Sequence, residues 1–256
     1  MIRRLCVVPL AAALILAAAA GHAAAVSALS EIGTPLAKLR EKYPQDLIIS
    51  GPAMEKKVAL TFDDAPDRRF TAEILEVLRR EDVPATFFVV GYRAQEMPEL
   101  VRRMAADGHA VGNHSYNHPD LRKLDLPAFE DQLMRTQRIL RELIGYEPQI
   151  LRPPYGEINE WQLKWAVDRG FKIINWNVDS LDWKSLDKAS VVDNILSQVR
   201  PGAIVLQHAG GGEGEDLTGT IDALPIVIRT LKRQGYEFVT VPELLNMPVS
   251  RPESAD

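Results

Sequence analysis

The sequence predicts an α/β fold, a closed or partly closed parallel β/α barrel, from three observations. Strand-like and helix-like segments alternate from Lys57 onward in about seven repeats, which suits a barrel better than a two-layer sandwich. The apolar runs at 58–62 and 203–206 have the continuous character of buried strands. Five polar segments, which hold most of the side chains able to do hydrolytic chemistry, each follow such a run. They are Thr61-Phe62-Asp63-Asp64, His114-Ser115-Tyr116-Asn117-His118, Arg152-Pro153-Pro154-Tyr155-Gly156, Asp179-Ser180-Leu181-Asp182-Trp183 and Leu206-Gln207-His208. In parallel barrels catalytic groups sit at the carboxyl ends of the strands, so all five are expected around one cleft.

The elements follow in order. After the strand at 58–62, residues 70–80 carry Ile74, Leu75, Val77 and Leu78 on a helical period. A β-rich run at 85–90 precedes a helix at 98–106. A short strand at 110–113 is followed by a long amphipathic helix that Pro127 opens and Gly145 ends. Residues 149–152 form another short strand, and 161–168 a helix stopped by Gly170. A strand at 171–178 leads to a helix at 188–199, broken by Pro201-Gly202. The strand at 203–206, a helix at 221–233 and a last strand at 236–241 complete the domain.

Composition bounds the function. With 256 residues, 46% of them hydrophobic and 25% charged, the chain is long enough for one α/β domain with a full core. A net charge of −5 argues against a nucleic acid partner, which asks for a basic footprint. Residues 1–25 read as a signal peptide: Arg3 and Arg4 precede an apolar stretch at 5–20, and Ala23-Ala24-Ala25 fits a cleavage site. An uncleaved anchor is the alternative, but the stretch falls short of the roughly 20 residues of a spanning helix. Secretion or residence in the cell envelope is therefore expected, with no membrane span after cleavage. The single cysteine, Cys6, lies inside the signal, so the mature chain has no disulfide, cysteine-ligated metal or cysteine nucleophile. Residues 26–54 read as an arm or linker closed by Gly51-Pro52, 55–247 as the domain and 248–256 as a loose tail.

His114 and His118 are four apart, a spacing that on a helical turn puts both rings on one side. The glutamate of the HExxH zinc protease pattern is missing. Asp63 or Asp64, at the end of the first strand, can supply a third ligand. Two imidazoles and one carboxylate leave a position for water, the pattern of catalytic rather than structural zinc. Adjacent strand residues point to opposite faces, so the two aspartates take different jobs, metal ligand and general base. The residues leave open which is which, and a helix cap near Phe70 is the plain alternative for either. His208 opens the flexible stretch at 209–212 and can serve as the acid that protonates a departing amine. Asp182 is the carboxylate to orient that imidazole and raise its pKa. His109 has no partner in view and reads as structural. Arg152 is held extended by the prolines after it and can keep a catalytic carboxylate ionised and aimed; a surface ion pair is the plain alternative. Tyr155-Gly156 leaves a backbone N–H free in a tight turn, as an oxyanion donor requires. Trp183 and Leu206 either pack in the core or wall a pocket for a small group such as methyl.

In this order the five segments resemble the NodB-type polysaccharide deacetylases, carbohydrate esterase family 4, over roughly residues 57–245. Val83-Pro84-Ala85-Thr86-Phe87-Phe88 and Gly108-His109-Ala110-Val111-Gly112-Asn113 are similar too. The resemblance implies a distorted (β/α)7-type barrel, the NodB homology domain. It implies Asp63 as general base, positioned by Arg152, and Asp64, His114 and His118 as metal ligands. It also implies the Tyr155 N–H at the oxyanion, His208 as general acid tuned by Asp182, Trp183 and Leu206 around the acetyl methyl, and Asp179 behind them. One departure is Ala65, where the family usually has glycine; a positive φ there would strain alanine. The implied activity is metal-dependent removal of N-acetyl groups from N-acetylglucosamine units of a cell-wall or extracellular glycan, peptidoglycan foremost. An O-acetyl esterase acting on xylan and a non-catalytic glycan-binding module are the alternatives. Zinc is the expected ion, with cobalt, nickel and manganese open to the same donors. The expected partner is an acetylated glycan, bound by a monomer.

Overall fold

The computed structural model describes residues 34–250, so the expected signal peptide and the end of the expected tail lie outside the described residues. Two compact units part between Lys42 and Tyr43. In the first, the described residues form helix α1 (Thr34–Lys42).

The second unit carries strands β1 (Leu47–Ile48), β2 (Lys57–Ala65), β3 (Thr86–Val89), β4 (Ala110–Asn113), β5 (Ile150–Leu151), β6 (Lys172–Ile174), β7 (Val178–Asp179), β8 (Ala203–His208) and β9 (Glu237–Phe238). Between and after them run α2 (Thr71–Glu81), α3 (Gly91–Glu96), α4 (Pro98–Ala106), α5 (Leu126–Ile144), α6 (Glu160–Asp168), α7 (Lys188–Gln198), α8 (Thr218–Arg233) and α9 (Val241–Leu244). All strand pairings are parallel, in the order β1-β6-β5-β4-β3-β2-β8-β7, with β9 alongside the start of β2. The result is a curled half-barrel with helices, the expected distorted (β/α)7 type.

Three expectations are corrected. The strand expected at 171–178 is two strands, because the chain changes partners inside it. Asn175 N–H donates to the Ile48 carbonyl (2.8 Å), whereas Asn177 exchanges bonds with Ile204, the N–H donating at 3.2 Å and Oδ1 accepting at 2.9 Å. This crossing carries the chain from β6, next to one end of the sheet order, to β7 at the other, and the apolar pattern of Phe171, Ile173, Ile174, Trp176 and Val178 gives no sign of it. The strand expected at 236–241 stops at Phe238, because Thr240 caps α9 in a reciprocal box with Glu243. The signal was present in the sequence as Thr240-Val241-Pro242-Glu243. Finally, within the stretch read as an arm, β1 pairs with β6, so sheet structure begins ahead of residue 55. Helix α3 was not foreseen.

The two faces of β2 build the two layers. Val58, Leu60 and Phe62 enter the core beneath the helices with Ile74, Leu78, Phe87 and Ile228. Each such buried side chain contributes about 1.5–3 kcal/mol. Ala59 faces the other way, into an apolar floor with Phe88, Ile150, Ile174 and Ile204. The next positions on that face are Thr61 and Asp63, both buried. In parallel register Thr61 stands beside Leu206, and Asp63 beside His208. Polar chemistry therefore begins where the apolar floor ends, at the carboxyl ends of the strands.

Candidate active site

The first segment departs from simple alternation. The register of β2 against β3 shifts between Phe62 and Ala65, and Asp64 takes a left-handed φ of 60°. Strict alternation would send the two carboxylates to opposite faces. The bulge turns Asp64 back, so both aspartates line one cavity of about 570 Å³. Ala65 is absent from the positive-φ residues and fully buried, so alanine sits there without backbone strain.

The histidine pair is also brought together by turns rather than by a helix. Ser115 (φ 65°) and His118 (φ 59°) are left-handed, and His118 N–H donates to Ser115 Oγ (3.1 Å). Asn113 Oδ1 in turn accepts from Ser115 N–H (2.9 Å), and the imidazole centres end 5.0 Å apart. His118 Nε2 and His114 Nε2 lie 3.5 and 3.8 Å from Asp64 Oδ1.

This donor set fits a divalent cation. One ligand atom from each of Asp64, His114 and His118 lies within 4.8 Å of the others. Tetrahedral zinc with bonds of about 2.1 Å separates its ligand atoms by about 3.4 Å, close to the spacing seen. His114 Nδ1–H donates to the Arg152 carbonyl (2.7 Å), which leaves Nε2 as a lone pair facing the cluster. Burial, and then the neighbouring His114, push the His118 pKa down, against the pull of Asp64 and Asp63. A neutral imidazole is the form that binds metal.

On one side of the cluster, Asp63 Oδ1 accepts from Arg152 Nη1 (2.7 Å). Its Oδ2 lies 3.7 Å from His114 Nε2, turned to the cluster. In the same cavity, His208 Nδ1–H donates to Asp182 Oδ1 (2.7 Å). Asp182 Oδ2 accepts from His208 N–H (2.9 Å) and from Thr220 Oγ1–H (2.8 Å). Burial favours neutral forms of both groups, but their mutual charge and hydrogen bonds outweigh it. Asp182 falls below the usual carboxylate range, and His208 is raised to about 9.

Gly156 N–H is used within its own turn by the Pro153 carbonyl (2.9 Å), while no acceptor among the described residues takes the Tyr155 N–H. Tyr155, Trp183 and Leu206 line the cavity, Leu206 buried and the two aromatic rings largely exposed at its mouth. Asp179 lines it too, but Oδ1 is engaged by Leu181 N–H (2.8 Å) rather than by a site side chain. Burial raises its pKa. His109 lies apart, its Nδ1 accepting from Ala85 N–H (3.1 Å) and its pKa lowered by burial to about 4.

Several partners escaped the sequence reading. Thr61 Oγ1 accepts from Arg152 Nη1 (2.8 Å), and Thr220 braces Asp182 from a helix whose periodicity says nothing of it. Arg93, on the first turn of α3, donates to the carbonyls of Asp64 (2.9 Å) and Gly211 (3.0 Å). Arg69 donates to Gly211 and Gly212 carbonyls (3.2 and 3.3 Å). The glycine-rich run after His208 is thus pinned to the Asp64 loop. Gly210 is required by this approach: a Cβ there would lie 2.3 Å from both the Asp64 carbonyl oxygen and Arg93 Nη1.

A parallel half-barrel whose cavity holds a His2Asp donor set, a further carboxylate and a carboxylate-backed imidazole defines a class of hydrolase. Residues 50–174, which include the segments from Asp63 to Arg152, match the polysaccharide deacetylase family. A peptidoglycan-N-acetylglucosamine deacetylase of Bacillus cereus is 44% identical over 211 residues, covering 82% of this chain and 75% of that protein. A peptidoglycan-N-acetylmuramic acid deacetylase of Bacillus subtilis is 39% identical over 81% of this chain, which spans 44% of that protein. The crystal structure of a peptidoglycan N-acetylglucosamine deacetylase, in complex with 4-naphthalen-1-yl-N-oxidanyl-benzamide, superposes with a TM-score of 0.77. It is 43% identical, over 79% of this chain and 94% of that one. The chain belongs to the polysaccharide deacetylase family, carbohydrate esterase family 4, and is a hydrolase of that class.

The cluster makes a direct prediction. Metal-stripped protein should take up one zinc or cobalt ion in a calorimetric titration, and Asp64→Asn or His114→Ala should abolish it. Unchanged stoichiometry and affinity in both variants would remove the site.

Proposed function

We propose that this chain removes N-acetyl groups from N-acetylglucosamine units of peptidoglycan or a related glycan, with the ion held by Asp64, His114 and His118. The observation that carries the reading is that Asp63 and His208 line one cavity with the ligand cluster, each oriented by a buried partner. When bound, a divalent ion supplies Lewis acidity, polarising a carbonyl and acidifying water. Asp63, fixed through Oδ1 by Arg152, uses Oδ2 to accept the proton of the attacking water. The Tyr155 N–H donates to the developing oxyanion. His208, its Nδ1 held by Asp182, delivers the Nε2 proton to the departing amine, so acetate and a free amine leave. Trp183 and Leu206 enclose the methyl group, and the exposed faces of Tyr155 and Trp183 suit the apolar faces of sugar rings.

The relatives named above act on peptidoglycan and support that choice of polymer. An extracytoplasmic substrate agrees with the signal-peptide pattern of residues 1–25, and no helix among the described residues is long and apolar enough to cross a membrane. A binding module needs neither a paired base nor a carboxylate-backed acid.

Acetate release from peptidoglycan, chitin oligomers and acetylxylan, with and without chelator, tests the reading. Release from the N-acetylated glycans, abolished by chelator and restored by zinc or cobalt, is expected. Release from acetylxylan alone would favour the esterase, and glycan binding without release from metal-loaded protein the binding module.

The acid also sets a pH window. A group raised to about 9 keeps its proton through neutrality and loses it as pH rises through that value, so kcat should decline there. Asp182→Asn removes the charge that holds the imidazole up, so the decline should move to lower pH. An unshifted basic limb would exclude His208 as the acid.

A further inference from the structure

The turn carrying the Tyr155 N–H is not a relaxed one. Tyr155 has φ 60° and ψ 8°, a left-handed conformation that costs a non-glycine residue free energy and persists only where surrounding contacts over-determine it. Two of those contacts are internal: Gly156 N–H donates to the Pro153 carbonyl (2.9 Å) and Glu157 N–H to the Pro154 carbonyl (3.2 Å). The third comes from another strand end. Asn175 Nδ2 donates to the Gly156 carbonyl at 2.9 Å. Gly156 also lies so close that a Cβ would stand 2.9 Å from the Trp176 ring and 3.3 Å from Asn175 Nδ2.

Asn175 grips the other half of the machinery as well. Its carbonyl accepts from Arg152 Nη2 (3.2 Å), and Arg152 is the group that fixes Asp63. Its own N–H is anchored on the Ile48 carbonyl (2.8 Å), so the residue has little freedom. The side chain is buried at 4% exposure, and Oδ1 finds no partner among the described residues. A buried acceptor left unpaired is a cost that an apolar residue of similar volume would not carry. What the amide contributes in return is the Nδ2–H on Gly156.

We propose that Asn175 is a positioning residue that sets the Tyr155 turn, and with it the oxyanion donor, at a fixed place relative to the Arg152–Asp63 pair. It acts through Gly156 and Arg152 and touches no reacting atom. The inference rests on the deacetylase reading, and the test separates the two.

Asn175→Leu keeps the volume and removes the donor; Asn175→Ala removes it without adding apolar bulk. In both, kcat for acetate release from an N-acetylated glycan should fall about 10- to 100-fold, up to the loss of one oxyanion donor. KM should change by less than about threefold, and stoichiometry and affinity for cobalt should hold, because the ligand cluster is untouched. Amide hydrogen exchange at Gly156 and Glu157, whose N–H groups are bonded within the turn, should quicken, which a role confined to distant packing would not produce. An unchanged kcat in variants of an active enzyme overturns the inference and leaves the deacetylase reading standing, as would a loss that appears only in KM. Failure of both variants to fold assigns Asn175 to the fold and overturns it too. Wild-type protein that releases no acetate from any N-acetylated glycan overturns the reading itself, and the inference with it.

Discussion

The Arg152 guanidinium is fully buried between the Phe88 ring, 4.1 Å from its centre, and the Trp176 ring at 5.5 Å. Nη1 donates to Thr61 Oγ1 and Asp63 Oδ1, Nε to the Ile174 carbonyl (2.9 Å), and Nη2 to the Asn175 carbonyl. Its own main chain bonds to the Asn113 carbonyl and to the His114 ring. Burying a charge costs several kcal/mol even after relaxation, and only a close partner with further hydrogen bonds can offset that. Here the offset comes from β2 and from the end of β6 with the residue after it. One buried arginine therefore ties together Asp63, the ring of His114 and the interior of the barrel.

In the same cavity a second buried pair repeats the principle with the sign of the moving part reversed. Asp182 is saturated by His208 and Thr220, and its charge favours the protonated form of that imidazole. The cavity of the candidate cation site holds a carboxylate with one oxygen outside its arginine pair and an imidazole with one nitrogen outside its aspartate bond. That asymmetry is what an acid–base pair requires. Backbone strain collects around it: of eight described non-glycine residues with positive φ, five (Asp64, Ser115, His118, Tyr155 and Leu181) lie in the motif segments. Such residues need tertiary contacts to hold them, and Arg93 at Asp64 and Thr220 at Asp182, beside Leu181, supply two from elsewhere in the chain.

Periodicity read the sheet and its helices well because those patterns follow burial, and burial of both faces is what a parallel strand needs. It placed Asp63, His114, Arg152, Asp182 and His208 at strand ends for the same reason. The resemblance, not the residues, distinguished Asp63 from Asp64. The bulge that brings both into one cavity was illegible, since a left-handed aspartate is imposed by neighbours rather than by local propensity. The loop from His114 to His118 was legible in its outcome, two rings on one side, but not in its means. The split at Asn175 to Asn177 depends on a change of partner strand, which no local pattern records. The arginine clamp on the glycine-rich run had no sequence signal beyond Arg93 standing just past a strand end.

The claim that most of the structure leans on is that Arg152 and Asp63 require one another. Unfolding by urea of Arg152→Met, Asp63→Asn and the double variant measures it. Arg152→Met alone should lose about 3–5 kcal/mol, because a buried carboxylate is left without its partner. The double variant should recover a large part of that stability while remaining inactive, giving a coupling energy of several kcal/mol between the two sites. Strictly additive losses, with no coupling between positions 63 and 152, would contradict the account.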